Sequence, residues 1–109
     1  MINVIIKRDK DKVAKEIEIK GHAGYAEDGQ DIICSAVSVL ALNMANSVEE
    51  FTDDNFEGSV ADDGGYFSFS FSGEISPESQ LLMKSLILGL QNIRKDYGAE
   101  YIKIRFREV

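Results

Sequence analysis

From Tyr66 to Ser72 the chain reads Tyr-Phe-Ser-Phe-Ser-Phe-Ser, which puts Phe67, Phe69 and Phe71 on one face and Ser68, Ser70 and Ser72 on the other. Only an extended strand has this period of two, and three stacked phenylalanines need an apolar cover. The chain must therefore build a sheet with one buried face. Ile2 to Lys7 alternates in the same way, with Ile2, Val4 and Ile6 on one side. Asp9-Lys10-Asp11-Lys12 reads as a hairpin loop. A second strand follows from Val13 to Lys20, with Val13, Ile17 and Ile19 opposed to Glu16, Glu18 and Lys20. Phe56 to Asp62 is a third strand, and Asp63-Gly64 before Tyr66 signals a tight hairpin, with Gly65 adding freedom. Glu100 to Arg107 is the last strand, with Ile102, Ile104 and Phe106 expected inward.

Two segments switch to the helical period. Asp31 sits where a helix cap belongs, and Ile32 to about Phe51 follows as the first helix. Ile33, Val37, Leu40, Met44 and Val48 make one stripe, which Val39 and Leu42 widen. Cys34, Ser38, Ala41 and Ala45 make a second stripe of small residues. A helix so apolar around its girth is central to the fold or shared with a second subunit. Ser76-Pro77-Glu78 starts the second helix, since serine caps and proline tolerates the first position. Leu82, Leu86, Ile93 and Tyr97, with Leu81, Leu88 and Leu90, give it a wide apolar stripe, and Gly98 is expected to end it in the left-handed conformation. The order is ββαββαβ. Hairpins dominate, so the expected fold class is α+β: one domain over residues 1–109, a mainly antiparallel sheet with two helices packed on it.

With 109 residues, 44% of them hydrophobic, one core is affordable and two domains are not. Ile32 to Val48 is interrupted by Cys34, Ser35, Ser38, Asn43, Asn46 and Ser47, so it reads as a buried helix and no membrane partner is expected. One cysteine excludes an internal disulfide and suits a reducing cytoplasmic compartment. A net charge of -7 is a poor match to phosphate backbones, so no nucleic-acid partner is expected; it favours encounter with basic proteins, or serves solubility alone.

The chain has a single histidine, His22, and a single cysteine, Cys34, flanking the glycine-bearing segment Gly21 to Gln30, which reads as a loop. With Asp31 as the cap, Cys34 is the third residue inside the first helical turn, where the helix dipole favours a thiolate. That effect is worth about 0.3–1 kcal/mol, under one pKa unit, so a competent nucleophile also needs an imidazole partner. The ten-residue loop is long enough to return His22 to the helix start. Taken alone, Cys34 is most simply a small core residue, His22 a loop residue and Asp31 a cap. One Cys, one His and Asp31 are too few ligands for a metal, and neither metal nor cofactor is expected.

Gly21-His22-Ala23-Gly24-Tyr25-Ala26, then Gly29, then Asp31-Ile32-Ile33-Cys34-Ser35-Ala36-Val37-Ser38 resembles the signature of the bacterial ribosomal-processing cysteine proteases. Serine at position 35, where alanine is frequent, is a departure. The resemblance implies an endopeptidase that removes an N-terminal extension from a protein of the large ribosomal subunit, cutting after an aromatic-rich segment. It implies Cys34 as nucleophile, His22 as general base and then acid, and Asp31 as orienter or cap. Gly21, Ala23, Gly24, Tyr25 and Gly29 would belong to a substrate-binding lid, with Ser38 facing the site. Amides at the helix start would supply the oxyanion donors. Family members are typically homodimers, which suits the apolar first helix. The competing readings are a non-catalytic, ribosome-associated binding module, a thiol enzyme of another class, and a metal-dependent enzyme with a site shared across a dimer.

Overall fold

The computed structural model describes residues 1–25, 31–61 and 64–109. The elements are β1 (Ile2–Arg8), β2 (Ala14–Lys20), α1 (Ile32–Phe51), β3 (Phe56–Val60), β4 (Tyr66–Phe71), α2 (Pro77–Tyr97) and β5 (Ile102–Glu108), the expected order. One sheet is formed, in the spatial order β3-β4-β2-β1-β5. All its pairs are antiparallel except β1 with β5, which run parallel. The fold is α+β.

Each hairpin has a local cause. Asp9 accepts the amides of Asp11 and Val13 on Oδ1, an Asx turn that lets Lys12 take φ 64°. At the second hairpin Gly64 has φ 75° and donates to the Ala61 carbonyl at 3.0 Å. The expected turn residue Asp63, with Asp62 before it, lies outside the described residues.

One sheet face carries the core. Ile2, Val4, Ile6, Ile17, Ile19, Phe67, Phe69 and Ile102 are buried there, as alternation required. The phenylalanines pack on one another: Phe69 stacks on Phe56 with centroids 4.7 Å apart and meets Phe71 edge-on at 4.9 Å. Both helices cover this face. Ser79 at the start of α2 lies by Thr52 at the end of α1, and Leu40 meets Gly89 midway, so the helices run antiparallel. A Cβ on Gly89 would stand 2.8 Å from Leu40 Cδ1, so glycine there permits the close approach. The start of α2 is fastened by the Asp54 carboxylate, which accepts the Ser76 amide and the hydroxyls of Ser76 and Ser79. The opposite sheet face is polar, with Lys7 paired to Glu16 at 2.9 Å.

Several side chains depart from expectation. α1 buries Ile33, Val37, Ala41, Met44 and Val48, while Val39 is 66% exposed and Leu42 is 42% exposed. α1 is long and apolar enough in composition to cross a membrane, yet its buried stripe docks on the sheet. α2 buries Ser79, Met83, Leu86, Leu90 and Ile93, leaving Leu81 and Leu88 exposed; the true stripe lies one position from the expected one at Leu82. Phe106 is not inward: β5 is an edge strand, α2 covers its beginning at buried Ile102, and the Phe106 ring instead lies 4.1 Å beneath the Arg8 guanidinium. Gly98 ends α2 with φ 123° and ψ 151°, an extended mirror-image conformation open to glycine rather than the left-handed helical one.

Phe69 is fully buried between Phe56 and Phe71 in the sheet centre. Phe69→Ala is expected to cost about 3–5 kcal/mol in urea unfolding, a large part of a small domain's stability.

Candidate active site

The site lies where β2 runs into the segment 21–25 and α1 begins. Gly21 is obligatory at this corner. It has φ 95°, and a Cβ there would stand 2.5 Å from the Met1 carbonyl oxygen. Its amide bonds the Gly65 carbonyl at 2.9 Å, tying the corner to the β4 strand's approach. Gly24, at φ 71°, turns the chain again between Ala23 and Tyr25.

Asp31 ties this corner to the start of α1. It is nearly buried, at 9% exposure. Its Oδ1 accepts the amides of Ile33 at 3.0 Å and Cys34 at 3.1 Å, capping α1. Its Oδ2 accepts the Tyr25 amide at 3.2 Å. Burial pushes this carboxyl's pKa up, but the hydrogen bonds from the Cys34 amide and nearby thiol, Tyr25 and Ile33 outweigh it and hold the group below 3.8. Asp31 is therefore a cap and a loop anchor. Among the described residues it does not hydrogen-bond His22, so the role of imidazole orienter is not what this geometry shows.

Cys34 is half-buried, and its Sγ accepts the Ala23 amide at 3.2 Å. Burial raises the thiol's pKa above its ordinary value; the Ala23 amide opposes that, and the Asp31 carboxylate beside the thiol adds to it. The surroundings thus favour the protonated thiol, despite its place in the first turn of α1. His22 is exposed, and among the described residues its ring is not hydrogen-bonded to Cys34. It is nonetheless tethered close by. The Ala23 nitrogen is 3.2 Å from Sγ, and the His22 Cα is about 2.4 Å from that nitrogen by peptide geometry. The His22 Cα thus lies within about 6 Å of the sulfur, inside the sweep of its own side chain.

The first-turn amides are mostly spent. Those of Ile33 and Cys34 go to the Asp31 side chain and that of Ser35 to the Asp31 carbonyl, so the expected oxyanion donors are occupied. The Ala23 amide is the donor nearest the sulfur.

An apolar cavity of about 260 Å³ opens beside Cys34, walled by Gly21, Cys34, Ser38, Leu42, Val60 and Phe67. A second of about 210 Å³ continues past Leu42, Val60 and Phe67 toward Phe56, making one groove between α1 and the β3–β4 hairpin. Gly21 and Ser38 thus line the cavity beside Cys34. Ala23 is buried beneath it, Gly24 shapes the turn, and Gly29 lies outside the described residues. Tyr25 does not wall the groove: its ring lies against Tyr97 and Tyr101, at centroid distances of 5.8 and 5.2 Å. Leu42 and Val60 were not legible as site residues. For Leu42 the signal was present, since Cys34, Ser38 and Leu42 recur at i, i+4 and i+8 on one helix face. Among the described residues no group of three His, Cys, Asp or Glu side chains converges as a metal site.

The sequence model of the family described as cysteine protease Prp matches residues 1–103, nearly the whole chain. The chain belongs to this family. The ribosomal processing cysteine protease Prp of Bacillus subtilis is 36% identical over 101 residues, covering 89% of this chain and 90% of its own length. That of Staphylococcus aureus is 26% identical over 107 residues, covering 98% and 100%. The crystal structure of the S. aureus protease with a covalently linked product peptide superimposes with a TM-score of 0.92 at 26% identity, covering 98% of this chain and 100% of that one. A Streptococcus mutans structure gives a TM-score of 0.85 at 30% identity, covering 100% and 96%. The chain is a cysteine-type peptidase.

Asp31→Asn keeps an acceptor for the helix-start amides and removes the charge beside the thiol. The pH midpoint of Cys34 alkylation is expected to fall, with helical circular dichroism unchanged; burial, the larger cause, remains. An unmoved midpoint would show that the Asp31 charge does not hold the thiol protonated.

Proposed function

We propose that this chain removes the N-terminal extension of a large-subunit ribosomal protein by acyl-enzyme catalysis, with Cys34 as nucleophile and His22 as general base and acid. The observation that carries the reading is the position of Cys34 at the wall of an apolar groove, with its sulfur one peptide unit from His22. An extended peptide with large apolar side chains fits such a groove. The S. aureus relative has been captured with a substrate peptide as well as a linked product, which supports a peptide ligand here.

The chemistry runs in two halves. His22 swings toward the sulfur and takes the thiol proton, and the thiolate attacks the scissile carbonyl carbon. The Ala23 amide is positioned to donate to the oxyanion. The C–N bond breaks as His22 returns the proton to the departing amine. Water, deprotonated by His22, then attacks the thioester; the carboxylate product leaves and the thiol is restored. Asp31 supports both halves by fixing the helix start and the stem of the loop. A protonated thiol at rest suits this order, since ionisation waits until substrate and imidazole displace water.

The substrate in this reading is a basic protein, which the net charge of -7 attracts at low salt. The protease acts in the cytoplasm as a homodimer, with exposed Val39 among the residues available to a second copy, and uses no cofactor, nucleic acid or membrane.

Incubation with an N-terminally extended ribosomal protein, read by mass spectrometry, is expected to give two fragments. Cys34→Ala should abolish cleavage, and His22→Ala should slow it by about 10²–10⁴-fold. An intact substrate, or a His22→Ala variant as fast as its parent, contradicts the assignment. The cleavage rate at low substrate should also fall as salt is raised.

A further inference from the structure

The segment that places an amide on the catalytic sulfur is fastened at both ends. Upstream, the Gly21 amide is bonded to the Gly65 carbonyl at 2.9 Å. Downstream, the backbone of Tyr25 is bonded to Asp31 at 3.2 Å, and its ring meets Tyr97 and Tyr101. Both ring contacts are edge-to-face, with interplanar angles of 85° and 73°, the arrangement aromatic quadrupoles favour. Tyr25 is 43% exposed, and these two rings are its aromatic contacts among the described residues.

The two partner rings stand on rigid elements. Tyr97 is the last residue of α2. Tyr101 precedes β5, its carbonyl accepts the Ile2 amide at 2.9 Å, and its own amide bonds the Gly98 carbonyl at 3.3 Å. The positive φ of Gly24 aims the Tyr25 ring toward them and away from the groove. Neither Tyr97 nor Tyr101 lines the groove, so neither is placed to touch a peptide held there.

We propose that Tyr97 and Tyr101 are positioning residues: they clasp Tyr25 and thereby hold the Ala23 amide on the Cys34 sulfur. The inference rests on Cys34 being the nucleophile of the proposed reaction. The clasp acts through the loop stem. When it opens, Tyr25 keeps one hydrogen bond to Asp31, and the stretch between Gly21 and Tyr25 gains freedom to lift Ala23 away from Sγ. The thiolate then loses its nearest amide donor, and His22, one residue upstream, loses its fixed approach. The contacts are made by ring edges and faces, so phenylalanine should replace either tyrosine.

The test is the pH profile of Cys34 alkylation by iodoacetamide, each rate expressed relative to its own high-pH plateau so that changes in access cancel. Tyr97→Ala is expected to raise the midpoint and lower the relative rate at pH 7 by about three- to tenfold, the range an aromatic pair supports. Tyr97→Phe should restore the parent profile. Tyr25→Ala, which loses both ring contacts, should shift the profile at least as far, and the double variant Tyr25→Ala/Tyr97→Ala should be no worse than Tyr25→Ala alone, because Tyr97 acts only through Tyr25. Tyr97 is at an exposed helix end, so its variants test the idea even where Tyr101→Ala fails to fold. A folded Tyr97→Ala protein with the parent profile, or additive effects in the double variant, overturns the clasp. Alkylation needs no substrate: a parent protein that leaves the ribosomal substrate intact while the tyrosine variants shift the profile removes the proposed function and leaves the clasp standing.

Discussion

The buried carboxylate of Asp31 is the constraint on which the site depends. One oxygen closes the start of α1 and the other holds the Tyr25 amide, so a single side chain fixes the helix that carries Cys34 and the loop stem that carries His22 and Ala23. A charge this enclosed survives because three amides satisfy it. The same enclosed charge faces the thiol and works against its ionisation. The arrangement gains geometric precision and disfavours a resting thiolate, so in the proposed reaction activation falls to the imidazole.

Two influences on the thiol oppose each other. The helix start favours a thiolate by under one pKa unit; burial and Asp31 act the other way. The sulfur takes the Ala23 amide as its donor, and His22 faces solvent one peptide unit away. The scaffold around them is stiff: Gly21 is wedged against the Met1 carbonyl, the β-sheet core is packed with phenylalanine, and Asp54 pins the start of α2.

Much of this was legible in the sequence. The start of α1 could be read because Asp31 is a strong cap, and its end near Phe51 because the apolar run stops there; the period-two strands gave the buried sheet face directly. The motif singled out His22, Asp31 and Cys34, and the fold brings all three to one corner. What escaped depends on tertiary cover. Phe106 alternates like a core residue but sits on an edge strand with incomplete cover, and Val39 and Leu42 look like core on a helix whose other side is buried. Met83 and Ser79 define the true inner stripe of α2, which a leucine-rich helix disguises. The occupancy of the helix-start amides and the turning of Tyr25 toward Tyr97 and Tyr101 are set by partners distant in sequence, and no local pattern announces them.

In the proposed reaction Cys34 rests as a thiol and is ionised only when substrate brings His22 to it. Carbon NMR of the Cys34 Cβ, followed through a pH titration with and without a non-cleavable substrate peptide, tests this directly. Titration above the ordinary thiol value is expected in the free protein, with a marked drop in that midpoint when the peptide is bound, lost in His22→Ala. A Cβ signal already that of a thiolate at neutral pH in the free protein, or a midpoint indifferent to peptide, would contradict it.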